Sequence, residues 1–192
     1  MSTALALQSY EEYLDRERSS EARLEYRAGE IVAMAGGTLE HARLSAAVAI
    51  ALGRALTGRP CLVLTSDAKV RIDPADRTTY PDVSVVCGEM KRSPKDDNAI
   101  INPKVVIEVL SDGTEADDRG DKFAAYRRLQ SVDEYVLVSQ REPRIEVYRR
   151  DGFRWILTEA RSGEKVSLPS LELELEVDQI YANPLEPKGS IR

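Results

Sequence analysis

Residues 103–129 read "PKVVIEVLSDGTEADDRGDKFAAYRRL". The run of Val and Ile predicts a strand from Lys104 to Leu110, followed by an acidic loop and a helix from about Asp117 to Leu129. Strand alternation places Lys104, Val106, Glu108 and Leu110 on one face and Val105, Ile107 and Val109 on the other. A carboxylate within such a strand costs several kcal/mol unless something pairs with it or binds it. On the helix, Phe123, Tyr126 and Leu129 trace an apolar face bordered by Lys122. The lysine stem can lie on the sheet while its ammonium reaches the strand ends.

Working outward, Ser9 and Glu12 form an S-x-x-E capping box that opens a short helix through about Arg18. "RLEYRAGEIVAMAGG" predicts a hairpin turning at Ala28-Gly29 and closed by Gly36-Gly37. Leu44, Val48, Leu52 and Leu56 recur at helical spacing between Thr38 and about Thr57, and Gly58 ends that helix. Strands are expected at Cys61–Thr65, Ala68–Ile72, Asp82–Cys87 and Lys104–Leu110, with "DPADRT" and "GEMKRSPKDDN" as polar connections. "EYVLVS" and "RIEVYRR" give two more strands, and "LELELEV" alternates with a strict period of two.

This order predicts a mixed sheet flanked by helices, of the α/β or α+β kind. The 192 residues suit a single domain, 1–192, in which residues 1–37 form an N-terminal helix and hairpin extension.

A content of 42% hydrophobic and 31% charged residues excludes long disorder. No apolar run approaches the roughly 20 residues that span a bilayer. "MSTALALQSYEEYLDRE" lacks a basic start, and its apolar stretch is too short for a signal peptide, so a cytoplasmic protein is expected. Two cysteines, Cys61 and Cys87, make neither a disulfide framework nor a zinc spacing, and they read as buried, inert thiols. The net charge of −6 argues against a protein that coats DNA but leaves room for a local basic groove. There is no Walker loop, dinucleotide-binding glycine pattern, nucleophile elbow or zinc-finger spacing.

Tyr80-Pro81 leads into a strand that starts at Asp82. If that strand neighbours the one carrying Glu108, two carboxylates converge from their ends. Such a pair repels unless one is protonated or a cation lies between them. Mg²⁺ suits one or two carboxylates, retained waters and phosphate oxygens. The alternative is a structural ion pair between Glu108 and Lys69, Arg71 or Lys122. Lys122 could likewise simply pair with Asp118 at i,i+4.

"YPDVSVV", the stretch 103–129 and "EYVLVS", with "YRAGEIVAMAGGTLEHARL" upstream, resemble the Uma-type restriction endonuclease family of the PD-(D/E)XK nuclease superfamily. The likeness runs from about Tyr10 to Tyr181. It implies a restriction-endonuclease-like fold, with a central mixed sheet between helices. It further implies a divalent-metal site formed by Asp82 and Glu108, with the carbonyl of Val109 as a third ligand. The superfamily lysine, two residues after the glutamate, is Leu110 here. The Uma type is similar to this chain in carrying a lysine on the next helix, and Lys122 is the matching residue.

The resemblance implies an endonuclease that hydrolyses DNA with Mg²⁺, for which Mn²⁺ can substitute, and a homodimer in which "LELELEV" is either an interface strand or an ordinary half-buried one. The displaced lysine and the negative charge support an alternative, a nuclease-like DNA-binding or assembly module without turnover. His41, the single histidine, is expected near the cleft as a phosphate or metal-water contact. Glu25 is a weaker acidic candidate, better read as an exposed cross-strand charge. Lys69, Arg71, Arg119 and Arg127 could supply phosphate contacts, although each is better read as a solvated charge.

Overall fold

The structure, a computed structural model, describes residues 7–34 and 36–185. The ends of the expected domain, residues 1–6 and 186–192, lie outside the described residues, as does residue 35 of the hairpin segment.

Helix α1 (Tyr10–Ser19) begins with the expected capping box: Ser9 Oγ accepts the Glu12 N–H at 3.1 Å, and Glu12 Oε2 accepts the Ser9 N–H at 2.6 Å. Strands β1 (Leu24–Arg27) and β2 (Glu30–Ala33) form the expected hairpin. Its turn residues Ala28 and Gly29 both have positive φ, 47° and 98°, as a tight two-residue hairpin turn requires. In helix α2 (Leu39–Ala55), Thr38 caps the N-terminus, and Leu44, Val48 and Leu52 form the buried stripe predicted by their spacing.

Ten strands and two helices follow up to residue 161: β3 (Cys61–Thr65), β4 (Lys69–Ile72), β5 (Arg77–Thr79), β6 (Val83–Cys87), β7 (Arg92–Ser93), β8 (Asp96–Ile100), β9 (Val105–Val109), α3 (Glu115–Arg119), α4 (Asp121–Tyr126), β10 (Glu134–Val138), β11 (Arg144–Asp151) and β12 (Arg154–Arg161). The chain continues through β13 (Lys165–Leu168), β14 (Leu173–Glu176) and α5 (Val177–Tyr181).

The central sheet runs β12-β11-β10-β9-β6-β3 and is mixed: β9 and β10 are parallel, joined through α3 and α4, and the other neighbours are antiparallel. Alternation along β9 sorts as expected. Val105, Ile107 and Val109 face a core built with α2, β13, β14 and α5, whereas Val106 and Leu110 face a second core with Phe123 and Tyr126 of α4. Glu108 shares the α4 face.

A second sheet, β2-β1-β5-β4-β8-β7, stands beside the central mixed sheet that was expected. The N-terminal hairpin is built into it through pairing of β1 with β5, and α1 packs Tyr10, Tyr13 and Leu14 against Tyr26 of β1. Strands β5 and β8 fall in the segments expected to be polar connections. Arg77, Thr78 and Thr79 are buried there because partners from elsewhere satisfy them, among them Asp117, whose Oδ2 lies 2.5 Å from Arg77 Nη2. The single helix expected from Asp117 to Leu129 is two short ones, broken at Gly120, which serves both as C-cap of α3 and N-cap of α4.

Cys61 and Cys87 are not inert thiols. They stand directly opposite each other in the β3–β6 register, with Cα atoms 4.0 Å apart, and form a disulfide. Of "LELELEV" only Leu173–Glu176 is strand, between a 3-10 turn ending at Leu171 and the helix starting at Val177; Leu171, Leu175 and Val177 enter the protein's own core, and the glutamates face outward. Among the described residues, no helix is long and apolar enough to cross a membrane.

Candidate active site

Pro81 and Asp82 lead into β6, which pairs antiparallel with β9 in the register Val83↔Ile107. One step further along that register Asp82 faces Glu108, so the two carboxylates meet at the ends of adjacent strands. Their residues line a cleft of about 510 Å³, together with His41, Asp118, Lys122 and Gln140. The cleft lies at the carboxyl ends of the parallel pair β9 and β10, a common place for a site on a mixed sheet.

Each side of the site is held separately. Asp82 Oδ2 accepts the Val109 N–H at 2.7 Å and lies 3.1 Å from His41 Nε2. His41 reaches it from the first turn of α2, where the Thr38 cap fixes the backbone: Thr38 Oγ1 accepts the His41 N–H at 3.0 Å. Gly37 leaves room for the ring, since a Cβ there would sit 2.9 Å from His41 Nδ1. The Asp82 hydrogen bond raises the imidazole pKa above its ordinary value; burial opposes this, and the charges of Asp82 and Asp118 and the Val109 carbonyl add to the rise.

On the other side, Lys122 Nζ lies 2.9 Å from Glu108 Oε1 and 3.1 Å from Asp118 Oδ1. All three side chains are buried. Burial opposes the Lys122 charge, but Glu108 and Asp118 outweigh it and hold the ammonium protonated. Burial pushes the Glu108 carboxyl well above the usual range; Lys122 pulls against this, while Asp118 and Asp82 push the same way. One ammonium therefore serves two carboxylates, with a third close by.

The break at Gly120 sets this geometry. It turns α4 so that Lys122 points at the strand end while keeping the i,i+4 contact with Asp118, and Tyr135 Oη anchors the turn by donating to the Asp118 carbonyl at 2.9 Å. Both ion pairs considered for Lys122, with Glu108 and with Asp118, are therefore present as contacts.

The donor set fits a hard divalent cation. Glu108 Oε1 is buried, with the Lys122 ammonium 2.9 Å away as its ion-pair partner. Asp82 supplies a second carboxylate. Among the described residues no group of three or more His, Cys, Asp or Glu side chains is gathered for a metal. An ion here would take the two carboxylates and complete its shell with water, substrate or backbone oxygens, the habit of Mg²⁺. The Val109 carbonyl lies close enough to His41 to raise its pKa.

Four other expectations need correction. Glu25 is buried rather than exposed; its Oε1 accepts the Tyr80 N–H at 3.3 Å and Arg27 pairs with it at 3.0 Å. Lys69 is buried between Glu17 and Asp96. Arg71 is buried too, bound by Asp73 and Asp76 with its guanidinium 3.9 Å from the Tyr10 ring centre. Arg119 is held by Glu146 through two hydrogen bonds of 2.6 and 2.8 Å. Arg127, by contrast, is exposed as expected, over the Phe123 ring. None of these four cations lines the cleft; Arg141 and Arg144 do. Gln140 was the other omission, and Asp118 was named only as an ion-pair partner of Lys122. The i,i+4 spacing to Lys122 signals Asp118, whereas nothing local signals Gln140.

A profile described as "Putative restriction endonuclease", Uma2, matches residues 10–179. The uncharacterized protein slr1290 of Synechocystis sp. is 36% identical over 174 residues, covering 90% of each chain. A second uncharacterized Synechocystis protein, sll1609, is 34% identical over 149 residues, 77% of this chain and 84% of the relative. The crystal structure of a putative nuclease belonging to DUF820 from Anabaena variabilis superposes with a TM-score of 0.69 at 18% identity, covering 84% of this chain and 91% of that one. The mixed sheet between helices is thus a restriction-endonuclease-like fold. With the profile spanning most of its length and relatives above one-third identity, this chain belongs to the Uma2 family.

Proposed function

We propose that the protein is an endodeoxyribonuclease that hydrolyses DNA phosphodiester bonds with Mg²⁺, for which Mn²⁺ can substitute. One observation carries this reading: two carboxylates, Asp82 and Glu108, meet at adjacent strand ends and line one cleft with Lys122. When bound, the cation would polarise the scissile phosphate and lower the pKa of the attacking water. Asp82 and Glu108 would hold it, with the Val109 carbonyl as a third oxygen. Lys122, kept protonated by Glu108 and Asp118, would place positive charge where the phosphoryl oxygens become more negative and orient the water. His41 fixes Asp82 from the side. Leu110 stands where a lysine would otherwise serve. On the same reading the protein is cytoplasmic and a homodimer.

The test is plasmid cleavage by purified protein with Mg²⁺, Mn²⁺ or chelator. Cleavage that needs the cation and disappears in Glu108→Ala supports the reading, and equal cleavage by Glu108→Ala sinks it. Light scattering of the same preparation checks the dimer.

A second reading has its own observation. Lys122 is tied to both Glu108 and Asp118, and Leu110 brings no second cation, an arrangement that suits a binding or assembly module without turnover. DNA retention in a gel shift, with no cleavage in either metal and no Mn²⁺ bound at Asp82, would select it.

A further inference from the structure

Gln140 follows β10 and joins two segments remote in sequence. Its Nε2 donates to the Leu110 carbonyl at 2.6 Å, and its Oε1 accepts from Thr38 Oγ1 at 2.8 Å. The amide orientation is fixed by its partners, because the Leu110 carbonyl can only accept. The Thr38 hydroxyl already accepts the His41 N–H, so its proton is free to go to Gln140.

Followed onward, these bonds close on themselves. His41 Nε2 faces Asp82 Oδ2, Asp82 Oδ2 accepts the Val109 N–H, and Val109 is bonded to Leu110. The ring runs from Gln140 through Thr38, His41, Asp82, Val109 and Leu110 back to Gln140. It ties the N-terminus of α2 and the end of β10 to the β9 end that carries Glu108. His41 donates at both ends of its part of the ring, through Thr38 and Gln140 to the Leu110 carbonyl on one side and to Asp82 on the other, and Asp82 Oδ2 also accepts from Val109, so each polar group in the ring has a partner, the condition for a polar network to rigidify a site.

We infer that Gln140 is a positioning residue: by pinning α2 and the Leu110 carbonyl together, it keeps Asp82 on the Val109 amide and in place opposite Glu108. Its importance to catalysis rests on the nuclease reading above, but its effect on geometry does not. Gln140 itself holds neither cation nor substrate.

Amide hydrogen exchange of metal-free protein, read by NMR, tests this. In Gln140→Leu the Val109 amide should exchange on the order of tenfold faster, while the Ile107 amide on the same strand keeps its rate. Thr38→Val should do the same, and Thr38→Ser, which restores the hydroxyl, should return Val109 to within about twofold of the native rate. In DNA cleavage, kcat of Gln140→Leu should fall on the order of tenfold with KM nearly unchanged.

Unchanged Val109 exchange in Gln140→Leu overturns the inference. So does faster exchange of Val109 and Ile107 together, which would mean general loosening of the fold. A native protein that cuts no DNA would overturn the nuclease reading alone, since the exchange rates decide the role of Gln140 without turnover.

Discussion

Lys122 Nζ lies 2.9 Å from Glu108 Oε1, and both side chains are buried, with 8% and 3% of their surface exposed. This pair joins the strand that carries the site to the helix that covers it. It also decides how the site tolerates mutation, because Asp118 draws on the same ammonium at 3.1 Å.

Lys122→Met leaves Glu108 and Asp118 buried without their cation and should destabilise the protein by about 3–5 kcal/mol. Glu108→Gln removes one of two competing carboxylates and should change stability by about 1 kcal/mol or less. The double variant should then be more stable than Lys122→Met alone, with a coupling of at least about 1 kcal/mol. Urea unfolding of the four proteins gives the cycle. Strict additivity would show that the two groups do not interact as their distance implies.

At Gly120, an added Cβ would meet the Ala116 carbonyl at 2.8 Å. That oxygen belongs to the backbone and cannot swing aside, so Gly120→Ala should cost about 1–3 kcal/mol and turn α4 away from Glu108. Gly113 in the preceding loop is the control: nothing lies within 4 Å of a Cβ there, and Gly113→Ala should stay within about 0.5 kcal/mol of native. Thermal unfolding of both variants checks this. Equal melting temperatures for the two would refute the close approach.

Acid should unlock the contact between β11 and α3. Two hydrogen bonds from Arg119 hold the Glu146 carboxyl below its ordinary 4.5, against the opposing effect of burial. Because the folded value lies below the unfolded one, this stabilisation is full above the ordinary carboxyl range and is lost as pH falls through the lowered value. Glu146→Gln should therefore be less stable at pH 7, with the difference from native narrowing below pH about 4. Parallel stability curves over that range would show that Glu146 has no such shift.

Short-range signals were enough for much of the architecture. The spacing of Leu44, Val48 and Leu52 gave α2 its inward stripe, and the Ser9–Glu12 pair gave α1 its start. Alternation along β9 separated Val105, Ile107 and Val109 from Val106, Glu108 and Leu110, which placed Glu108 on the α4 side. Each of these depends only on which way a side chain points from its own element, and the backbone period fixes that.

Other features were illegible for the complementary reason. "DPADRT" and "KDDN" look like loops because their polar groups seem to need water, yet parts of both are strands of the second sheet. Arg77 can be buried there only because Asp117, 40 positions away, meets it. The same holds for Lys69 between Glu17 and Asp96, for Glu25 beneath Tyr80, and for Cys61 opposite Cys87.

The sequence by itself determined the main helices, the central strands and the face on which Glu108 stands, because periodicity is a local property of the chain. Only the tertiary structure decided that Asp82 faces Glu108, that a break at Gly120 delivers Lys122 to both Glu108 and Asp118, and that Gln140 closes a ring through His41. A buried polar group is stable only with its partner, and the partner is chosen by strand register and helix packing rather than by neighbours in sequence.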